Sequence, residues 1–266
     1  MKRHVVGGFV FLIISVGVLG AEVTGGGPSA DVIVRRVVER ARLSSVENPE
    51  GRFTWTERVV SEELDDRSAV KRSEEKLYEA FPIGASSYSR LVQVNGKALS
   101  AKELKKEQER EQKFRQNLQS KRKPGEKDDD SIVLNEELVS RFRFDLIGQE
   151  TVGGRTSFVL SFEPKGPHLP EKRRTDRLVN RLRGRLWVDQ DEDEITRVEA
   201  QIIEPVKMWG GLLATIRTFT MSFTQTRVEE GVWLPGRFDL RIQGRVFIKS
   251  FHEHQVAEST GFKRIS

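Results

Sequence analysis

No cysteine occurs among the 266 residues of the chain, and that absence removes disulfides, thiolate nucleophiles and Cys-ligated zinc together. Stability must then come from an ordinary apolar core, for which the length suffices. Histidine is nearly as scarce, since His4, His168, His252 and His254 are the whole supply. With so few imidazoles, and no evident carboxylate partner for His168, general-base chemistry has little to work with. There is no Gly-x-Ser-x-Gly, no phosphate-cradling glycine loop and no His-Glu-x-x-His. Charge of one sign is missing too. The 45 basic residues are interspersed with 40 acidic ones for a net charge of +5, which argues for a mixed, solvated surface rather than a nucleic-acid partner.

Long hydrophobic runs are limited to Val5–Leu19, which follows the basic Met1-Lys2-Arg3 and precedes the small residues Gly20 and Ala21. That is the layout of a secretory signal, with cleavage expected near Gly20 or Ala21. The run is shorter than the roughly 20 apolar residues of a spanning helix and contains Gly7, Gly8 and Gly17, so an uncleaved anchor is the weaker reading. Residues 1–21 are therefore expected to leave, and the exported protein is not expected to be integral to a membrane. A Gly-rich stretch at 22–30 reads as a flexible leader.

Residues 31–266 read as one domain. Asp31 looks like an N-cap for a helix through about Leu43, with Val34, Val37, Val38 and Ala41 on one face. After Asn48-Pro49-Glu50-Gly51 the period changes to two. Extended runs begin at Phe53 and Val70, joined by a turn at Asp65–Asp66, and a third spans Tyr88–Val94 before Asn95–Gly96. Ser100 caps a charged helix over Ala101–Lys121 whose only sizeable apolar residues are Leu104, Phe114 and Leu118, followed by the charged linker Lys121–Asp130. Helix and linker form a charged insertion at about 100–130 that is expected to be mobile.

A helix is expected over Asn135–Phe142, and from there the chain alternates as strands nearly to its end. Phe142, Phe144 and Leu146 alternate with Arg143 and Asp145, and Phe158, Leu160 and Phe162 alternate with Ser161 and Glu163, with the Gly153–Gly154 pair in the hairpin between them. Further strands are expected at Gly184–Asp189, Ile195–Glu204, Arg217–Val228, Trp233–Gln243 and Val246–Val256, with turns at Asp189–Glu194, Glu229–Gly231 and Gln243–Gly244. Two segments break the pattern. Pro164–Asp176 is a basic, Pro-rich excursion leading to a short helix at about Arg177–Leu182, and Pro205–Ala214 contains the apolar stretch Met208–Leu213. So many antiparallel strands with few helices predict a mainly β, α+β fold. They are expected to form one large curved antiparallel sheet, with the early helix and the Leu138-containing helix as covers for its concave face.

Three patterns invite a chemical reading and are better explained structurally. His252 and His254 share a strand face, but a metal site needs a third ligand that the sequence does not place. Asp189, Asp191 and Asp193 imitate the start of a calcium loop, yet Glu194 stands where the glycine belongs and Ala200 where the bidentate glutamate belongs. That segment reads as a solvated hairpin turn. The interspersed glutamates of the charged helix favour an ion-paired, solvated surface over a lipid-headgroup contact. No catalytic residue, metal or cofactor is expected.

Several of these features together resemble a known family. They are the export signal, the opening amphipathic helix, the strand carrying Phe53 and Trp55, the Gly184-Arg185-Leu186-Trp187-Val188-Asp189 strand into an acidic turn, the Ile195-Thr196-Arg197-Val198-Glu199 return strand and the closing Phe262-Lys263-Arg264-Ile265. This set is similar to the periplasmic carriers and receptors of outer-membrane lipoprotein sorting. The resemblance implies an unclosed barrel of about eleven antiparallel strands with a helical lid, holding lipoprotein acyl chains in an apolar cavity. Only the strand Gly184–Asp189 and its partner Ile195–Glu199 carry over well, and both are structural. The charged insertion Ala101–Asp130 and the Pro164–Asp176 excursion depart from the pattern.

The functional expectation is a periplasmic protein holding lipid or lipoprotein acyl chains, with an inner- or outer-membrane protein as a further partner. From alternation, the strand residues expected to line the cavity are Phe144, Leu146, Phe158, Leu160 and Trp187, then Phe219, Met221, Phe223, Phe238 and Leu240. The Met208–Leu213 stretch reads either as a plug of the domain's own core, the slightly favoured reading, or as a lip that places Met208, Trp209 and Leu212 at the cavity's mouth or lid. The alternative is a polypeptide-binding sensor or interaction module on the same fold, without lipid cargo, using the charged helix and exposed strand edges.

Overall fold

The computed structural model describes residues 27–84, 86–119, 132, 134–173, 175–208 and 213–265. The expected signal at 1–21, most of the leader, the linker Lys121–Asp130, the Met208 side chain, Trp209 and Leu212 lie outside the described residues.

Twelve antiparallel strands form one sheet that does not close. They are β1 (Phe53–Leu64), β2 (Val70–Ile83), β3 (Ser86–Val94), β4 (Lys97–Ala98), β5 (Phe142–Val152), β6 (Arg155–Pro164), β7 (Leu182–Asp189), β8 (Ile195–Ile202), β9 (Val206–Met208), β10 (Ala214–Glu229), β11 (Val232–Val246) and β12 (Lys249–Arg264). Their spatial order is β4-β3-β2-β1-β12-β11-β10-β8-β7-β6-β5, with β9 paired to β10. The last strand therefore lies beside the first, and the sheet is an open half-barrel whose edges are β4 and β5. Local sequence sets most of the joints. Asp65 accepts the amides of Arg67 and Ala69, both at 2.8 Å, to turn β1 into β2, and Asn95–Gly96 and Gly153–Gly154 take the positive φ values a tight hairpin needs.

Among the described residues four α-helices accompany the sheet. Helix α1 (Ala30–Glu47) begins two residues earlier than Asp31 implies, because the Ser29 hydroxyl accepts from the Val32 amide; Asp31 sits in the first turn instead. It runs past Leu43 to Glu47 and ends on Asn48 in the left-handed region. Helix α2 (Ala101–Gln119) starts in a capping box, with the Ser100 amide donating to Glu103 at 2.9 Å and the Glu103 amide to the Ser100 hydroxyl at 3.4 Å. Helix α3 (Glu136–Ser140) is capped by Asn135 and stops before Phe142, whose alternation commits it to β5. Helix α4 (Asp176–Val179) is a single turn, and Leu182 already belongs to β7.

One turn is displaced from its expected place. Strand β11 runs straight through Gln243–Gly244 and reverses at Phe247 and Ile248. Gly244 is there for space. A Cβ at that position would lie 2.4 Å from the Thr215 carbonyl oxygen and 2.7 Å from the Phe251 ring, on the two neighbouring strands.

The core gathers where α1 lies on the sheet. Ile33 and Val37 of α1 are buried against Phe158, Leu160, Leu186 and Val188, with Phe144, Phe162, Ile195 and Val198 around them. A second cluster, Phe53, Trp55, Ala80, Val232 and Leu234, closes the β1–β2–β11 end. Helix α2 uses the other face of the sheet, beside β3. Tyr88 donates to the buried Glu107 at 2.8 Å and stacks on Phe114, and Arg90 pairs with Glu111. Leu104 and Leu118 remain exposed, so α2 is anchored by a polar network plus one aromatic contact rather than by the expected apolar stripe.

Candidate ligand-binding face

Because residues opposite one another in a sheet share a face, the strand registers give the composition of each face directly. One row reads Leu146, Leu160, Leu186, Val198, Phe223, Phe238, Ala257 and Val59 across β5, β6, β7, β8, β10, β11, β12 and β1. Every member is apolar. The neighbouring row on the same face reads Phe144, Phe162, Gly184, Ala200, Met221 and Leu240, then turns polar at Gln255 and Ser61. Phe219 faces Ile242 one row further along, and Phe158 faces Val188 on the other side.

The described strand residues expected from alternation thus share this face, with one correction. Trp187 pairs with Val159 and Arg197, on the opposite side. There it is buried under the guanidinium groups of Arg185 and Arg197, 5.1 and 4.6 Å from its ring centre, and its indole donates to Glu150 at 2.9 Å. Its neighbours Leu186 and Val188 hold the positions on the α1 side. The physical reason is the pleat: in Leu186-Trp187-Val188 the largest residue occupies the odd place, and two cations over its ring shield it from water.

Coverage of the apolar face is uneven. Over β6–β8 it is sealed by α1. Towards β10 and β11, Phe219, Met221, Phe223, Leu240 and Ile242 are only half-buried, although Phe238 among them is buried. Chemically, this stretch offers an apolar surface with aromatic and thioether side chains and no charged group until Glu253 and Glu63 on β12 and β1. Burial pushes the Glu253 carboxyl above its ordinary range, with the Glu63 charge adding to the effect.

At one end of this face the expected solvated turn is instead an ion-pair knot. Asp189 is fully buried and accepts from Arg155 Nε and Nη2 at 2.6 and 2.7 Å and from the amides of Asp191 and Glu192 at 3.0 and 2.9 Å. Burial disfavours its charge, but these donors outweigh it and hold its pKa low. Burial likewise opposes ionisation of Glu192, yet Arg227, the Trp233 indole and the Gly231 amide bring it down to about 2. Glu194 binds Arg40 of α1 at 3.1 Å and so ties the helix to the sheet. Sequence alone could not pair these acids with Arg155 and Arg227, which lie more than thirty positions away.

The Pro-rich excursion is likewise pinned. Asp176, buried at its end, pairs with the buried Arg141 at 3.0 Å and accepts the amides of Lys172 and Arg173.

His252 and His254 sit on the charged face. His254 contacts Glu62 and Asp239 at 3.0 Å each, and His252 contacts the Asp65 carbonyl oxygen at 3.1 Å. Among the described residues no group of three His, Cys, Asp or Glu side chains is placed to hold a metal ion. No described helix is long and apolar enough to cross a membrane.

No protein-family model and no curated protein matches the sequence. Among solved structures the chain is similar to a domain described as an outer membrane lipoprotein-sorting protein domain from Vibrio parahaemolyticus, with 12% identity over 88% of this chain and 92% of that one and a TM-score of 0.37. It is also similar to a LolA superfamily protein from Nitrosomonas europaea, with 15% identity, coverage of 90% and 95% and a TM-score of 0.30. A third is the MucA/MucB complex of Pseudomonas aeruginosa, with 10% identity, coverage of 88% and 99% and a TM-score of 0.26.

Proposed function

We propose that the protein is an exported periplasmic binding protein, built as one half-barrel domain, that shelters acyl chains of lipids or lipoproteins against the apolar face of its sheet and performs no catalysis. The observation that carries this reading is the apolar row shared by β5–β8 and β10–β12, of which α1 seals only part. Phe219, Met221, Phe223, Phe238 and Leu240 then receive the chain beyond α1, while Phe144, Phe158 and Leu160 border it beneath the helix and Leu146 lies exposed at the β5 edge. Met208, Trp209 and Leu212 are assigned to the mouth on the sequence reading. Each methylene moved from water onto such a surface is worth about 0.8 kcal/mol, so a chain of a dozen or more carbons binds usefully even when partly covered. Release follows from movement of α1, whose hold on the sheet combines Ile33 and Val37 with the Arg40–Glu194 pair. A membrane protein that disturbs that pair is a natural partner.

The test is displacement of a fluorescent fatty acid. Wild-type protein is expected to bind it saturably, while Met221→Arg and Phe223→Asp lose at least about tenfold in affinity without loss of fold. Saturable binding with the same affinity in both variants contradicts the assignment.

One observation favours the alternative, a polypeptide-binding module. Strand β5 ends the sheet, and its Leu146 and Ile147 are 38% and 54% exposed, as strand addition by a peptide requires. Fatty-acid binding that is absent in wild-type protein, together with peptide capture blocked by Ile147→Pro, supports this reading over the first.

A further inference from the structure

The face turned away from α1 carries a trough of about 710 Å³, bordered by β5–β8, β10 and β11. We propose that this trough is an anion site in which Arg183 and Arg241 hold a phosphate-bearing group. The proposal does not rest on the acyl-chain reading, because the two surfaces lie on opposite sides of the sheet.

Four acidic side chains stand in the trough wall, and each is already engaged. Glu163 and Asp145 pair with Arg143. Glu199 pairs with Arg185 and Arg197, and Asp239 pairs with Arg237 and contacts His254. Two further cations remain. Among the described residues Arg241 makes no ion pair or side-chain hydrogen bond, and Arg183 meets only Gln201. In the amide orientation that satisfies both ends of Gln201, its carbonyl oxygen accepts from Arg183 Nε and Nη2 at 3.1 and 3.2 Å, which holds the guanidinium over β8 with Nη1 still available.

Register places these groups in one line. Arg183, Gln201, Thr220 and Arg241 are direct cross-strand partners on β7, β8, β10 and β11. At about 4.8 Å per strand, the two arginine Cα atoms stand roughly 14 Å apart, a span that two extended guanidinium side chains close on one group between them. Between them in the row lies Thr220, whose hydroxyl can also donate. Two guanidinium groups approaching from opposite sides suit a tetrahedral oxyanion, whose oxygens point in several directions, better than a planar carboxylate, which one guanidinium satisfies alone. The ligand class is therefore a phosphate monoester or diester, whether a soluble compound or a phospholipid headgroup.

Calorimetric titration with inorganic phosphate and co-sedimentation with phosphatidylglycerol vesicles, measured against phosphatidylcholine vesicles, separate these sources. Variant R183Q/R241Q is compared with K97Q/K249Q, which removes equal charge from exposed positions on β4 and β12. Binding of phosphate alone assigns a soluble ester, and binding of vesicles alone or of both assigns headgroup recognition. In each case the arginine variant is expected to lose about tenfold or more in affinity while the lysine variant stays within about twofold. No binding of either probe, or equal loss in both variants, overturns the proposal.

Discussion

Asp189 and Arg155 form a two-point salt bridge across β6 and β7, with the carboxylate fully buried and both of its oxygens accepting from one guanidinium. Removing Arg155 leaves the buried carboxylate with only the Asp191 and Glu192 amides, which costs about 3–5 kcal/mol. Arg155→Met is expected to lower stability by that amount in urea denaturation, and Asp189→Ala by less, because Arg155 is partly exposed and keeps Asp191 as a partner. The double variant is expected to lose clearly less than the sum, and full additivity would show that the pair is not coupled.

Two carboxyls give the stability curve opposite slopes. Burial raises Glu50 to about 7, so between the unfolded value near 4.5 and about 7 the folded state binds more protons than the unfolded one and stability falls as pH rises. Glu192, held at about 2, contributes stability above about 4.5 that is lost as pH falls towards 2. Glu50→Gln is therefore expected to stabilise the protein at pH 8 by on the order of 1–3 kcal/mol and to leave it unchanged at pH 4. Glu192→Gln is expected to destabilise it at pH 7 and to flatten the acid limb of a thermal-melting series.

Trp187 and Phe223 test the assignment of faces. Trp187→Phe lies on the charged side and is expected to leave fatty-acid affinity within about twofold. Trp187→Ala is expected to cost about 3–5 kcal/mol in stability, since it empties a buried site. If Trp187→Phe instead abolished binding while Phe223→Asp did not, the two faces would have to be exchanged.

Gly244 separates a turn from a close contact. In a hairpin loop an alanine there would be nearly neutral, whereas a Cβ against Thr215 and Phe251 forces the strands apart. Gly244→Ala is expected to cost about 1–3 kcal/mol in thermal or urea unfolding.

The features legible in the sequence were those with a short period. Alternation at Phe142–Leu146, Phe158–Phe162 and Phe219–Phe223 identified strands and the apolar face, because the pleat repeats every two residues whatever the tertiary context. Hairpins at Asn95–Gly96 and Gly153–Gly154 were legible because their backbone angles demand those residues. The acidic turn has the local sequence of a solvated hairpin, because its neutralising partners, Arg155 and Arg227, come from other strands. Gly244 mimicked a turn since the signal for close packing is also a glycine. The row from Arg183 to Arg241 emerges only once four strand registers are known.

The most direct measurement is native mass spectrometry of the protein purified from the periplasm, followed by lipid extraction. The expected result is a mass increment that matches a phospholipid or an acylated peptide, removed by organic extraction and absent from Phe223→Asp. Protein of bare polypeptide mass that also takes up no added acyl chain would contradict the apolar face as a carrier surface.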